Sequence, residues 1–257
     1  MVVHNYYGEL YDEFFGKSVR CGNEIIEFEN LSFFVPIVGD RYDGCKNVER
    51  SDFRMMLVGR AVNGWEKVGS CTRADFMNDI TVKLDGTRFS DAIYEQNDRL
   101  YFNKKYSLSG SAFWRTAKKV WVGLGGVAET RWVDNIIWSN LYKVSPSRGG
   151  NPKDEMCDVQ HLICKRLLKE EIEFYRPTHI FLIAGLNWVE NSGDNSFISN
   201  FKKFKKTGNE NAVGVAFYEF IDGKRIPVVI GRRPEYHNEA KYTEDILKAF
   251  NMLKHEL

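Results

Sequence analysis

The chain has 257 residues, 43% of them apolar, with 36 basic against 35 acidic side chains and a formal net charge of +1. That much apolar surface is ample for a sizeable core, and the balanced charge excludes a global pull toward nucleic acid, so any such contact has to be local. The five cysteines, Cys21, Cys45, Cys71, Cys157 and Cys164, form no Cys-x-x-Cys pair and are odd in number, which supports neither a disulfide framework nor a zinc ribbon.

In chain order, the opening "MVVHNYYGELYDEFFGK" carries acids and lacks the basic-then-apolar order of a secretory signal. An early helix is expected near residues 7–16. Together with "FFVPIVGDRY" it belongs to an N-terminal elaboration of roughly the first fifty residues. Four segments have the apolar, β-branched character of strands covered on both faces: "FRMMLVG" (53–59), "DNIIWSN" (134–140), "THIFLIAG" (178–185) and "IPVVIGR" (226–232). Between them lie helical patterns at 111–124, at 153–175 and at 194–206, and a last helix is expected over 239–257. Pro152 opens the long helix, Pro177 separates it from the next strand, and Asp222-Gly223 marks a hairpin turn within 213–230. "GLGG" (123–126) is a helix-ending turn, and Cys157 and Cys164 are packing residues.

Strands alternating with helices predict parallel pairing and right-handed crossovers. The expected fold is a three-layer α/β/α sandwich with a central, mainly parallel four-stranded sheet, forming a single domain over residues 1–257. The longest apolar stretch, around "HIFLIAGLNWV", is too short to span a bilayer, so a soluble, cytoplasmic protein is expected, without a membrane partner.

"IIWSNLYKVSPSRGGNP" (136–152) is a strand that ends on Asn140 and then dissolves into turn residues. Sheets of this kind bind ligands beyond the carboxyl ends of their strands. A carboxamide there offers both a donor and an acceptor, which suits a nucleobase edge or another amide. The alternative is that Asn140 caps the following turn.

The strand-end loops together resemble the uracil-DNA glycosylase superfamily, most closely its thermostable iron–sulfur branch. "LSGSAFWRTA" (108–117) falls where that family has an "SGRPF" type segment, "SNLYKVSPSRGGNP" (139–152) where it has "TNVVKCRPPGNR", and "GRRPEYHN" (231–238) where it has "HPS". The likeness spans about residues 53–250 and is strongest in the middle. It implies that Phe113 stacks on a flipped base and that Asn140 hydrogen-bonds its edge, which is chemically apt because an unstacked base needs a π-face and polar partners. An aromatic in the first turn of an amphipathic helix can equally be core.

The glycine-rich first loop of the family, in forms such as "GEAPG", is here "GRAVNGW" (59–65), with Arg60 or Ala61 at the position of the water-handling acid or amide. The resemblance assigns Gly59, Arg60 and Gly64 to substrate contact and leaves Asn63 as the nearby side chain able to orient water. "HPS" becomes "RPE", with Arg233 at the histidine position, a permanently charged donor for a departing base. Arg148, Arg232 and Arg233 are the phosphate candidates at strand ends. The family's iron–sulfur cluster is not supported by the cysteines, and no cofactor or metal is expected.

Other patterns favour plainer readings. "FKKFKK" (201–206) could grip phosphates but better suits a solvated helix face with Phe201 and Phe204 inward. His237 could replace the missing histidine, although the start of the last helix, with Asn238 as its cap, is the better reading. The functions implied are a base-flipping N-glycosylase acting on uracil or another modified base, a non-catalytic relative that binds DNA, nucleotide or base through the same pocket, or transfer chemistry on a small nucleoside-like substrate.

Overall fold

The structure, a computed structural model, describes residues 2–42, 53–61, 72–86, 109–128, 132–190 and 196–256. The four expected central strands are all present as β5 (Met55–Gly59), β6 (Ile136–Asn140), β8 (His179–Ile183) and β11 (Arg225–Gly231). They lie in the order β6-β5-β8-β11 with every pairing parallel.

The expectation of a four-stranded sheet is corrected, because these strands are the parallel centre of a seven-stranded one. On one side β4 (Ile37–Val38) pairs antiparallel with β6. On the other, β10 (Ala212–Glu219) and then β9 (Lys202–Lys206) continue the sheet antiparallel from β11. The β10–β11 connection is the expected tight turn, with Gly223 at φ +82° and the Asp222 carboxylate accepting from the Lys224 amide at 3.0 Å.

Alternation along each central strand sorts its side chains into two cores. Met56, Val58, Ile180, Leu182, Val228 and Ile230 pack on one face with α1 (Val2–Phe14), α2 (Arg73–Gly86) and α4 (Asp154–Tyr175). Met55, Leu57, Phe181, Ile183 and Val229 pack on the other with α3 (Ala112–Gly123) and α6 (Glu239–Lys254). Full burial of each such side chain stabilises the fold by about 1.5–3 kcal/mol, which explains why these strands are continuously apolar.

The N-terminal segment is built into this frame rather than appended to it. Tyr7, Leu10, Tyr11 and Phe14 of α1 are buried against the α4 side, and Tyr7 donates its hydroxyl to the Phe34 carbonyl at 2.9 Å. A hairpin of β1 (Ser18–Cys21) and β2 (Glu24–Glu27) precedes β3 (Leu31–Phe33), which pairs antiparallel with β7 (Val144–Pro146), directly beyond Asn140.

The helix expected over 194–206 is a second correction. A short 3-10 turn, Phe197–Asn200, is followed by the edge strand β9, because the β10 backbone offers a hydrogen-bonding partner that a surface helix would forgo. Its exposed lysines suit an edge, where charge discourages pairing with another chain. The early helix starts at Val2 and ends at Phe14 instead of spanning 7–16. Pro152 stands just before the cap of α4, Lys153, instead of inside the first turn. Arg176 closes α4 in the left-handed region, followed by Pro177, as the sequence implies. Among the described residues, no helix is long and apolar enough to cross a membrane.

Candidate functional site at the strand ends

From β5 the chain proceeds to β6 on one side, and from β8 it proceeds to β11 on the other. Sheets of this kind bind ligands where neighbouring strands send their connections in opposite directions, and here that switch point falls between the carboxyl ends of β5 and β8. Gly59 and Asn140 end their strands in direct register, and Gly231 is level with Ile183.

Asn140 is almost fully buried, at 1% exposure, and its carboxamide is turned toward Gly59. The volume that a Cβ on Gly59 would occupy is taken by Asn140 Oδ1, and the nearest ring atom of Phe113 lies 3.7 Å from the same point. Asn140 Nδ2 is buried with no hydrogen-bond partner among the described residues. A buried unsatisfied donor costs about 1–3 kcal/mol, so its retention wants an explanation. The turn beyond Asn140 is held instead by main chain, through Leu141 N–H to the Gly59 carbonyl and Tyr142 N–H to the Arg60 carbonyl, both at 2.9 Å. Phe113 is packed in the α3-side core, edge-on to Trp114 with ring centroids 5.1 Å apart, and keeps 9% exposure.

The opposite side of the same strand end carries a buried polar network. Ser139, one residue earlier and so on the α4 face, donates to Glu171 Oε2 at 2.6 Å. Lys143 donates to Ser139 at 2.6 Å and to Glu171 Oε2 at 2.9 Å, and both ionic side chains have no exposed surface. Gln160 of α4 accepts from the Lys143 and Val144 amides at 3.1 and 2.8 Å and donates to the Val144 carbonyl at 2.9 Å. Burial and the Glu171 charge push the Tyr7 hydroxyl well above its ordinary pKa, and burial raises the Cys164 thiol to about 12. The segment beyond Asn140 is therefore clamped from behind while the amide faces forward.

Arg60, the residue after Gly59, reaches from the end of β5 to the end of β8. Its Nε donates to the Ala184 carbonyl at 2.7 Å, just beyond β8, and its guanidinium carbon lies 5.3 Å from the Trp188 ring centroid in the short helix α5 (Leu186–Val189). Partial burial, and after it the neighbouring charge of Arg233, lower the Arg60 pKa. Arg233 is clasped by Glu235, with Nε donating to both carboxylate oxygens at 2.9 Å and Nη2 to Oε1.

The structure thus brings Gly59, Phe113 and Asn140 together, with Arg60 next in chain and Arg233 within electrostatic reach of Arg60. Arg148 is exposed and ion-paired with Glu24 of β2. Asn63 and Gly64 lie outside the described residues. Asn238 is the cap of α6, its Oδ1 accepting from the Ala240 and Lys241 amides at 3.1 Å, and His237 Nδ1 is 3.8 Å from Glu210. Among the described residues there is no group of three side chains able to hold a metal ion. Sequence reasoning missed Trp188, Lys143, Glu171 and Gln160. Trp188 carried one available signal, an aromatic three residues past the glycine that ends a buried strand. No protein-family model matches the chain, and no curated protein matches it.

Proposed function

We propose that the protein binds a nucleobase-containing ligand, DNA or a nucleotide, in the crevice at the carboxyl ends of β5, β6 and β8. Asn140 reads the edge of the base and Phe113 supplies its stacking surface. The observation that carries this reading is the buried Asn140 amide, left with an unpartnered donor beside an aromatic ring and a glycine. A ligand that supplies an acceptor to Nδ2 removes a standing penalty, and a planar heterocycle does so while presenting a face to the ring. The likeness of "SGSAFW" and "SNLYKVSPSRGGNP" to the uracil-DNA glycosylase superfamily supports the same reading. A mixed α/β fold with a seven-stranded sheet whose four central strands are parallel is compatible with the same reading.

Hydrolysis of the glycosidic bond asks for more, namely a group that orients water and a donor free to meet the departing base. The first role falls to Asn63. The Arg233 guanidinium is already engaged by Glu235, which favours recognition over cleavage.

The test is fluorescence anisotropy with single-stranded and mismatched duplex oligonucleotides containing uracil or only ordinary bases, paired with alkaline scission of abasic sites. Binding that weakens in Asn140→Ala and Phe113→Leu, without scission, is the expected result. Scission dependent on Asn63 would add catalysis to recognition. Binding indifferent to Asn140 would refute the assignment.

A further inference from the structure

Arg60 is held in a way that leaves its charge unspent. Its Nε is committed to the Ala184 carbonyl, and the plane of its guanidinium is supported by Trp188. Among the described residues, no carboxylate forms an ion pair with it. The acid that acts on it, Glu235, is already clasped by Arg233. Arg60 is therefore a partly buried cation with no ion pair among the described residues, a state that an anion relieves. Gly185, whose φ of +81° suits glycine, lies beside the guanidinium: a Cβ there would be in ordinary contact with Arg60 Nη2, at 3.7 Å.

We propose that Arg60 forms an anion subsite that takes the phosphate of the ligand whose base is read by Asn140. The inference rests on the base-binding reading above and extends it from a base to a nucleotide or phosphodiester. The two terminal nitrogens of Arg60 form the fork that matches two phosphate oxygens. Arg60 follows Gly59 directly in the chain, at the carboxyl end of β5.

Isothermal titration calorimetry tests this with the deoxynucleosides of the four DNA bases and uracil, their 5′-monophosphates, and 2-deoxyribose 5-phosphate as a base-free probe. In the wild type, a monophosphate binds about tenfold or more tightly than its nucleoside, the scale of one charge-assisted pair. In Arg60→Gln this increment falls to within about twofold, while Arg60→Lys, which keeps the charge without the fork, retains part of it. Near-ultraviolet circular dichroism confirms that each variant is folded, and the lysine variant carries the test should the glutamine variant not fold. Asn140→Ala weakens nucleosides and monophosphates by the same factor, so the increment persists. Equal affinity for nucleoside and monophosphate in the wild type overturns the subsite, as does an increment that survives Arg60→Gln, or the absence of binding by every probe. If the base-free sugar phosphate binds as tightly as the nucleotides and depends on Arg60, the subsite stands and the base reading falls.

Discussion

Gly59 and Asn140 face each other at the paired ends of two parallel strands, and the Asn140 Oδ1 occupies the place where any other residue at 59 would carry its Cβ. A methyl group at 59 therefore forces the amide to move. Gly59→Ala is expected to destabilise the fold by about 1–3 kcal/mol, the range for overpacking a close-packed site. It is also expected to weaken base binding to the level of Asn140→Ala. Urea unfolding and oligonucleotide anisotropy on the same preparations check both, and a Gly59→Ala protein with wild-type affinity contradicts the packing described.

Phe113 is asked to serve both core and pocket, and the two roles separate by substitution. Phe113→Leu keeps an apolar side chain and is expected to cost less than about 1.5 kcal/mol of stability. The same change removes the stacking face, worth about 1–3 kcal/mol per base. Phe113→Ala is expected to lose about 3–5 kcal/mol of stability by opening a cavity. Equal base affinity in the leucine variant and the wild type would mean that the ring is core alone.

The buried Lys143–Glu171 pair behind Asn140 predicts an asymmetry. Lys143→Met leaves Glu171 charged and without its cation, at a cost of about 3–5 kcal/mol, whereas Lys143→Met with Glu171→Leu removes both charges and recovers most of that loss. Denaturant unfolding of the two singles and the double closes the cycle. A double variant no more stable than the worse single would show that the pair is not a coupled unit.

His179 and Glu239 both contribute to the acid side of the stability profile. Burial, and after it Lys254, lowers His179 from 6.5 to about 4, with its ring against Phe53 and Phe250. Because the folded state holds it neutral, its contribution is complete above pH 6.5 and is lost as pH falls from 6.5 toward 4, on the order of 3 kcal/mol by linkage. Arg115, and after it Lys119, holds the Glu239 carboxyl down to about 2, so its contribution is present above pH 4.5 and is lost as pH falls from 4.5 toward 2. Melting temperatures across pH 3–7.5 are expected to flatten between 6.5 and 4 in His179→Phe and below 4.5 in Glu239→Gln. Unchanged slopes in those windows would remove the assignments.

Much of the frame is legible in the residues. The apolar runs of β5, β6, β8 and β11 announce strands buried on both faces, and the Asn238 cap follows from local chemistry. What escapes is whatever depends on distant partners. Lys202–Lys206 has a helical spacing of Phe201 and Phe204 yet becomes a strand, because β10 supplies backbone partners that no local pattern contains. The two-residue β4 is too short to carry a period, and its pairing with β6 is a tertiary fact. At the site, Asn140 is singled out by strand-end position and residue type, whereas Gly59 and Phe113 are named only through the resemblance of the loops. The Arg233–Glu235 clasp, the Arg60 bridge to Ala184 and the Lys143–Glu171 pair are set by the side chains that converge in space.

The most direct test of the account is nuclear magnetic resonance observation of the Asn140 side-chain amide, assigned by its loss in Asn140→Ala, during titration with deoxynucleotides. A hydrogen bond from Nδ2 to the base predicts a saturable downfield shift of one amide proton and its slowed exchange with water, with the same midpoint as binding by calorimetry. Saturable binding that leaves both Asn140 amide protons unmoved would contradict the claim that this buried donor reads the ligand.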